Sequence, residues 1–202
     1  MTRVHLGARF LGMITLFAGL LALSACGPGA PEDEMAATQA TIDSVRALPV
    51  VQSYGQNELR EAEQQLARVR QLVADKRYEE AQTAVVGAQS QARSVVGSAE
   101  KNRDAAQRDA EQSIAAARQA IEGAVAAIPT APRWGKGAIR DLSALKADVE
   151  NAEGQLQSAE QQLGAKAYRE ASAAARNASQ LAGSVTRTVE DAIALRESVR
   201  RR

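Results

Sequence analysis

Residues 75–95, DKRYEEAQTAVVGAQSQARSV, return ninety positions later as residues 165–185, AKAYREASAAARNASQLAGSV. Both stretches carry a lysine, a tyrosine two residues later, a Glu-Ala pair and a ladder of alanines that ends in Ser-Val. Extended upstream, residues 58–95 align with residues 148–185 without a gap, and 14 of the 38 positions are identical. The duplication predicts two copies of one structural unit.

Apolar residues on both sides of the duplicated Lys-x-Tyr recur every three or four positions, which is the spacing of an amphipathic helix with a coiled-coil-like stripe. The rhythm breaks between Val73 and Tyr78, so we place a tight turn near Asp75-Lys76. In the second copy, Gly164 occupies a place that suits a C-cap glycine. The stripe residues of the first hairpin are Leu59, Ala62, Leu66, Val69 and Val73, followed by Tyr78, Ala81, Val85, Ala88, Ala92 and Val95.

Proline divides the rest of the chain. Pro31 suits the start of a first helix that runs to about Leu48, where Pro49 stops it. A loop that contains Tyr54-Gly55 is expected to follow. No proline interrupts residues 77–128, which predicts one long helix. Upstream of the hairpins the offset between copies is 80, which matches Val45 with Val125 and Tyr54-Gly55 with Trp134-Gly135. The change from 80 to 90 predicts about ten extra residues in the middle helix of the second copy.

The predicted fold is therefore all-α, an antiparallel helical bundle with coiled-coil-like packing. We expect two tandem three-helix units, a spectrin-like rod, that share the long central helix. The predicted boundaries are residues 31–99 for the first repeat and residues 100–202 for the second. A single folded-back bundle of five helices is the alternative.

The N-terminus predicts export and lipidation. Arg3 and Arg9 precede an apolar run from Phe10 to Leu23, which has the length of a signal-peptide core. The run ends in Leu23-Ser24-Ala25-Cys26, which resembles the bacterial lipobox, and that resemblance implies cleavage before Cys26 and attachment of diacylglycerol and palmitate-type chains to it. We expect a signal peptide at residues 1–25 and a lipidated tether at residues 26–30.

The residue after the lipidated cysteine is Gly27 rather than the aspartate that favours inner-membrane retention in enteric bacteria. By that resemblance the expected location is the periplasmic face of the outer membrane, ahead of the inner membrane. Two or more acyl chains anchor a protein stably.

Composition excludes several classes of function. Loss of residues 1–25 removes two basic residues and no acid, which leaves 23 basic and 24 acidic residues, so a nucleic-acid partner is not expected. The single histidine, His5, lies in the predicted signal peptide, and Cys26 is the single cysteine. Zinc sites of His and Cys, Ser-His-Asp triads and Cys-His pairs need side chains that the mature chain lacks. We expect no enzyme and no cofactor.

The segment Lys76-Arg77-Tyr78-Glu79-Glu80-Ala81, with a lipobox upstream, resembles a family of alanine-rich helical bacterial lipoproteins. The hairpin that carries the resemblance covers residues 59–95 and again residues 149–185. Members of that family carry a domain of uncharacterised function that is sometimes followed by an OmpA-like peptidoglycan-binding domain. The resemblance implies a setting in the Gram-negative envelope and no catalytic residue. A covalent peptidoglycan link through a C-terminal lysine is not expected, because the last lysine is Lys166.

Seven side chains are candidates for partner contact. The tyrosines that begin the stripes are expected to plug the hairpin turns, with ligand stacking as the alternative. The cations at the end of the last helix suit its negative dipole end, with contact to anionic lipid or cell-wall polymer as the alternative. The candidates are Tyr54, Tyr78, Trp134, Tyr168, Arg200, Arg201 and Arg202, with Arg196 beside the last three.

The sequence thus predicts a non-enzymatic, membrane-anchored structural or adaptor component of the cell envelope. The partners left open are another envelope protein, a second copy of the chain (a homo-oligomer) and peptidoglycan. The alternative function is a tetratricopeptide-like helical module that captures a periplasmic peptide or assembly factor.

Overall fold

The computed structural model describes residues 29–201. Over this range the chain is all-helical and contains no β-strand, which confirms the predicted fold class. The helices are α1 (Glu32–Arg46), α2 (Pro49–Tyr54), α3 (Gln56–Ala74), α4 (Tyr78–Ala127), α5 (Ser143–Gly164) and α6 (Tyr168–Arg200), with a short 3-10 turn at Ile128–Thr130.

The first helices follow the proline signals. The first turn of α1 is acidic, which complements the positive end of the helix dipole. Pro49 ends the preceding segment and at the same time starts α2, because its missing N–H is not needed at the first position of a helix. The sequence predicted a loop around Tyr54, and the short helix α2 occupies that place.

The predicted long helix is confirmed. Helix α4 runs for 50 residues, which corresponds to about 75 Å at 1.5 Å per residue. It contains no proline and is rich in alanine, the residue with the highest helix propensity. The 3-10 turn at Ile128–Thr130, which contains Pro129, ends it.

Two left-handed residues shape the hairpin turns. Lys76 has a φ of 59° and Lys166 a φ of 61°, at positions ninety apart in the duplicated sequence. In each turn the N–H after this lysine donates to a carbonyl oxygen five residues earlier, Arg77 to Leu72 at 2.8 Å and Ala167 to Gln162 at 2.9 Å. This is the Schellman geometry that closes a helix C-terminus.

The tight turn predicted near Asp75-Lys76 is therefore present, but the prediction for Gly164 was wrong. Gly164 is the last residue of α5, and the left-handed conformation falls two residues later on Lys166. The sequence favoured glycine because it adopts positive φ without strain, whereas the hydrogen-bond register of the turn places a lysine there.

The extra residues of the second copy also lie elsewhere than predicted. Helices α3 and α5 differ little in length, with 19 and 22 residues. Between α2 and α3 there is only Gly55, whereas residues 131–142 separate the 3-10 turn from α5. The insertion is thus in a loop and not in the middle helix.

Burial corrects two further assignments. Val45 is 7% exposed and Val125 is 50% exposed, so these residues do not occupy equivalent core positions; the buried neighbour Ala124 does. In α3 the last core residue is Leu72, and Val73, which the stripe assigned to the core, is half-buried. The shift in α3 arises because 3.6 residues per turn drift away from a strict heptad.

By packing, the described chain divides into two compact units, residues 29–44 with 59–93 and residues 45–58 with 94–201. In the first unit α1, α3 and the start of α4 share an apolar cluster, and Arg70 donates to the side chain of Gln39 at 2.8 Å. The cluster consists of Val69, Leu72, Ala81, Val85 and Ala88, with Met35, Val73 and Ala84 packed against it.

In the second unit the later part of α4 packs with α5 and α6 around one larger core. Isoleucine, leucine and valine form layers in it, and alanine fills the positions between them. Among residues 29–201, alanine supplies half of the buried apolar residues. Since each buried methylene contributes about 0.8 kcal/mol, such a core gains little area per residue.

The lysine turns give the first testable prediction. We expect Lys76→Gly to raise the free energy of unfolding by about 0.5–1 kcal/mol, because glycine removes the left-handed strain and offsets it only partly by its entropy. The same change at Lys101, inside α4, should lower stability by about 1 kcal/mol. Urea denaturation followed by circular dichroism measures both, and a loss of stability in Lys76→Gly would contradict the turn geometry.

Candidate interaction surface

Five predicted site residues lie outside the described residues. They are the lipobox residues Leu23, Ser24 and Ala25, the lipidation candidate Cys26, and the terminal Arg202. Their roles stay predictions.

Tyr54 and Tyr168 come together in the second unit. Tyr168 begins α6, is 8% exposed and packs with Ala110 and Ala171, while the half-buried Tyr54 lies against the same cluster. Tyr168, at the second hairpin turn, is thus buried in a cluster whose members lie more than a hundred positions apart in the sequence.

Polar contacts fix this arrangement. The guanidinium carbon of Arg169 lies 5.0 Å from the centre of the Tyr54 ring, which is within range of a cation–π interaction. The side-chain amide of Asn102 donates to the carbonyl oxygen of Tyr54 and to a carboxylate oxygen of Glu58, both at 2.9 Å. Asn102 thereby satisfies a carbonyl at the end of α2.

Tyr78 begins α4 in the first unit and is half-buried. Beside it an open groove of about 830 Å³ follows the hairpin of α3 and α4, and most of the residues that line it are of polar or charged type, including Arg68, Asp75, Arg77 and Glu80.

Trp134 is 72% exposed in the loop before α5. The loop itself is well fixed: the N–H of Ile139 donates to the carbonyl oxygen of Pro132 at 2.8 Å. Gly137 has a φ of 83°, and a Cβ there would lie 2.9 Å from the carbonyl oxygen of Ala192. Only glycine therefore allows the loop to approach α6 this closely, and the loop holds the indole in solvent.

The end of α6 forms a basic surface next to this loop. An open cavity of about 620 Å³ has cations on both sides, Lys136 from the loop and Arg196 and Arg200 from α6, with Glu197 as its only carboxylate. Arg201 contacts Glu197 at 3.4 Å and is exposed. The structure therefore groups Arg196 and Arg200 with Lys136, which sequence reasoning had not selected.

Sequence reasoning also missed a polar network between α4 and α6. The hydroxyl of the buried Ser172 donates to Asp109 Oδ2 at 2.6 Å and lies 3.2 Å from the Ser113 hydroxyl. Arg176 donates to both oxygens of the same carboxylate, at 2.7 and 2.9 Å. The feature of the sequence that could have revealed the network is a serine within the alanine-rich start of α6, opposite a stretch of α4 without large apolar residues.

The network controls the ionisation of its carboxyl group. The hydrogen bond from Ser172, together with the charge of Arg176, lowers the pKa of Asp109 from its ordinary value. A lowered pKa makes a carboxylate a weaker base, so the arrangement suits a structural ion pair rather than proton abstraction. At the start of α5, hydrogen bonds from Ser143 similarly lower the pKa of Asp141, whose carboxylate accepts the N–H of this first helical residue at 2.8 Å.

Within residues 29–201 no group of three or more histidine, cysteine, aspartate or glutamate side chains is arranged to hold a metal ion. In the same range no helix has the length and apolar character needed to cross a bilayer. Comparison with protein-family profiles, curated proteins and solved structures found no match for this chain.

The lowered pKa of Asp109 makes its contribution to stability depend on pH. That contribution is complete above the unfolded-state pKa of about 3.9 and is lost as the pH falls through the lower folded-state pKa. We expect Asp109→Asn to unfold at lower urea than the parent chain at pH 7, and this gap to shrink progressively as the pH is lowered below about 4.

The matched control is Glu122→Gln, which neutralises an exposed carboxylate on the same helix. Its free energy of unfolding should stay within about 0.5 kcal/mol of the parent's at pH 7 and below about pH 4. An Asp109→Asn gap that does not change with pH would show that the charge of Asp109 is not what stabilises the α4–α6 contact.

Proposed function

We propose that this chain is a lipid-anchored, non-enzymatic structural or adaptor component of the bacterial cell envelope, held at the periplasmic face of the outer membrane. The observation that carries the proposal is the position of the single cysteine, Cys26, at the end of a lipobox-like segment that follows an apolar run. The all-helical fold and the largely polar surface of residues 29–201 support a role in contact rather than in chemistry.

The finer architecture that we propose is a tandem pair of three-helix units sharing α4. Its support comes from each unit separately. In the first, α1, α3 and the start of α4 contribute to one apolar cluster, and in the second the later part of α4 does so with α5 and α6. The matching Schellman turns at Lys76 and Lys166 are the strongest sign that the two hairpins are copies.

Residue chemistry supports the absence of enzymatic activity. The described chain contains neither histidine nor cysteine, so a hydroxyl group has no imidazole or thiolate partner. The best-connected hydroxyl, that of Ser172, is buried and donates to a carboxylate that is also held by Arg176. Such a serine is a structural donor and is closed to a substrate.

The peptide-capturing alternative has weaker support. Grooves that bind helices or peptides usually offer apolar pockets for anchor side chains. The groove beside α3 and α4 has Leu72 and Ala84 as its apolar lining and is otherwise polar or charged. We therefore prefer a scaffold whose helix faces contact a partner.

The proposal is tested at the anchor. Cys26→Ser should abolish incorporation of labelled palmitate and remove the protein from the outer-membrane fraction, because no thiol remains to be acylated. The control is Ser24→Ala, which keeps a small residue before the cleavage site and should leave labelling and fractionation unchanged. Outer-membrane recovery of Cys26→Ser at the parental level would refute the lipid anchor.

A further inference from the structure

The loop before α5 and the end of α6 form one exposed surface in the second unit. Gly135 of the loop lines the same open cavity as Val199 of α6. A Cβ at Gly137 would lie 3.3 Å from the side chain of Leu195, so the two elements meet there as well. The apolar and basic side chains around this junction are exposed. We call this surface the loop–α6 patch and define it as Trp134, Lys136, Leu195, Arg196, Val199 and Arg200.

The three cations of the patch line one cavity, whose only carboxylate is that of Glu197. That carboxylate lies 3.4 Å from the guanidinium of Arg201. Within residues 29–201 none of the three patch cations forms an ion pair. Elsewhere in the same unit arginine takes a carboxylate partner, as Arg118 does with Glu160 at 2.6 Å. The patch thus gathers positive charge that the described chain does not neutralise.

The charge of the described chain is unevenly distributed along the sequence. Residues 131–142 and 194–201 together contain six basic and two acidic residues. Residues 29–201 as a whole contain 22 basic and 24 acidic residues, so 16 basic and 22 acidic residues remain outside these two segments. A chain that is close to neutral therefore combines a basic patch with an acidic remainder. Such segregation indicates an anionic partner for the basic patch.

The helix dipole explains only part of this grouping. Cations stabilise the C-terminus of a helix, but the effect falls off within the last turn. Arg200 is the last residue of α6, whereas Arg196 lies one turn earlier and Lys136 belongs to the loop. Three cations that converge from two elements repel one another, and a bound anion removes this repulsion. The grouping therefore points to a role in binding.

The apolar side chains of the patch distinguish between anionic partners. Leu195 and Val199 lie one turn apart on α6 and are 47% and 43% exposed, and Trp134 is 72% exposed. A soluble anion or a glycan strand has no hydrocarbon region that would cover these side chains. At a bilayer surface, tryptophan and aliphatic side chains enter the boundary between headgroups and acyl chains, while lysine and arginine stay among the phosphates. The combination therefore favours an anionic lipid surface.

We propose that the loop–α6 patch is a reversible docking site for a bilayer that contains anionic phospholipid. Its three apolar side chains enter the headgroup region, and its three cations contact lipid phosphates. Because Gly137 lets the loop lie close against α6, the indole of Trp134 is presented on a fixed backbone. The contact rests on the proposed envelope location, which places phospholipid bilayers within reach of the chain. It adds a second membrane contact, made by the folded protein, to the lipid anchor.

Vesicle sedimentation tests the site without the anchor. A chain of residues 26–202 with Cys26→Ser keeps every described residue and has no thiol to acylate, and far-UV circular dichroism verifies its helix content. The chain is mixed with vesicles of phosphatidylglycerol and phosphatidylcholine in equal parts, or of phosphatidylcholine alone. We expect partitioning onto the anionic vesicles to be about tenfold stronger and to weaken as salt is added, because salt screens the charges. Equal partitioning onto both kinds of vesicle, or onto neither, would overturn the proposal.

Charge reversal locates the contact on the molecule. Lys136→Glu with Arg196→Glu should reduce partitioning onto the anionic vesicles about tenfold, because two attractions to lipid phosphate become repulsions. The matched control is Lys101→Glu with Arg108→Glu, which changes the net charge equally at exposed residues about five turns or more before the end of α4. The control should change partitioning by less than about twofold. An equal loss in both variants would show that overall charge governs binding, and the assigned patch would be wrong.

The fluorescence of Trp134, the only tryptophan, reports which surface faces the lipid. Its emission should shift to shorter wavelength on the anionic vesicles, because the indole leaves water for the headgroup region. Trp134→Ser should keep the helix content and weaken partitioning several-fold, since the exposed indole contributes to lipid contact and not to the core. Unchanged emission from a chain that partitions would contradict the proposed orientation.

Isolated peptidoglycan is the competing partner. If the parent chain sedimented with peptidoglycan and not with vesicles, and charge reversal at Lys136 and Arg196 abolished this, the patch would be a cell-wall contact and the lipid proposal would be overturned. The anchor is tested separately. Loss of vesicle binding leaves the palmitate labelling of Cys26 untouched, and failure of that labelling with intact vesicle binding would refute only the anchor.

Discussion

The structure depends on how closely helices approach when alanine is the main contact residue. Half of the buried apolar residues among residues 29–201 are alanines, so helix axes can lie close together while each contact buries little area. When two helices that meet through alanine shift along each other, the contacts between methyl groups change little in energy. Alanine contacts therefore fix the separation of two helices better than their register. Register has to come from a few larger or polar side chains.

In the second unit these side chains are identifiable. Tyr168 fills the start of α6, and Asp109, Ser172 and Arg176 tie α4 to α6 with hydrogen bonds of 2.6–2.9 Å. A buried hydroxyl that shifted along the seam would lose its carboxylate acceptor, and an unpaired buried polar group costs about 1–3 kcal/mol. The hydrogen bonds of a few polar side chains thus fix the register that the alanine contacts leave poorly defined.

Much of the fold was predictable because it depends on local signals. Proline positions and helical periodicity gave the long helix α4, and the rhythm break after Val73 gave the hairpin turn. The errors concern what local pattern does not encode. The left-handed residue is Lys166 and not Gly164, because the turn's hydrogen bonds select the position rather than the residue type. The inserted residues lie in the loop before α5, where Gly137 meets α6, a tertiary contact invisible in the sequence.

The candidate site was predictable only in part, for the same reason. Tyr54 and Trp134 occupy matching sequence positions, yet Tyr54 is half-buried beneath Arg169 and Trp134 is 72% exposed. Their difference is not intrinsic, since both are amphipathic aromatics; it follows from whether a hairpin lies against them. Comparison of equivalent residues in the two copies therefore separates what the residue type determines from what its surroundings determine.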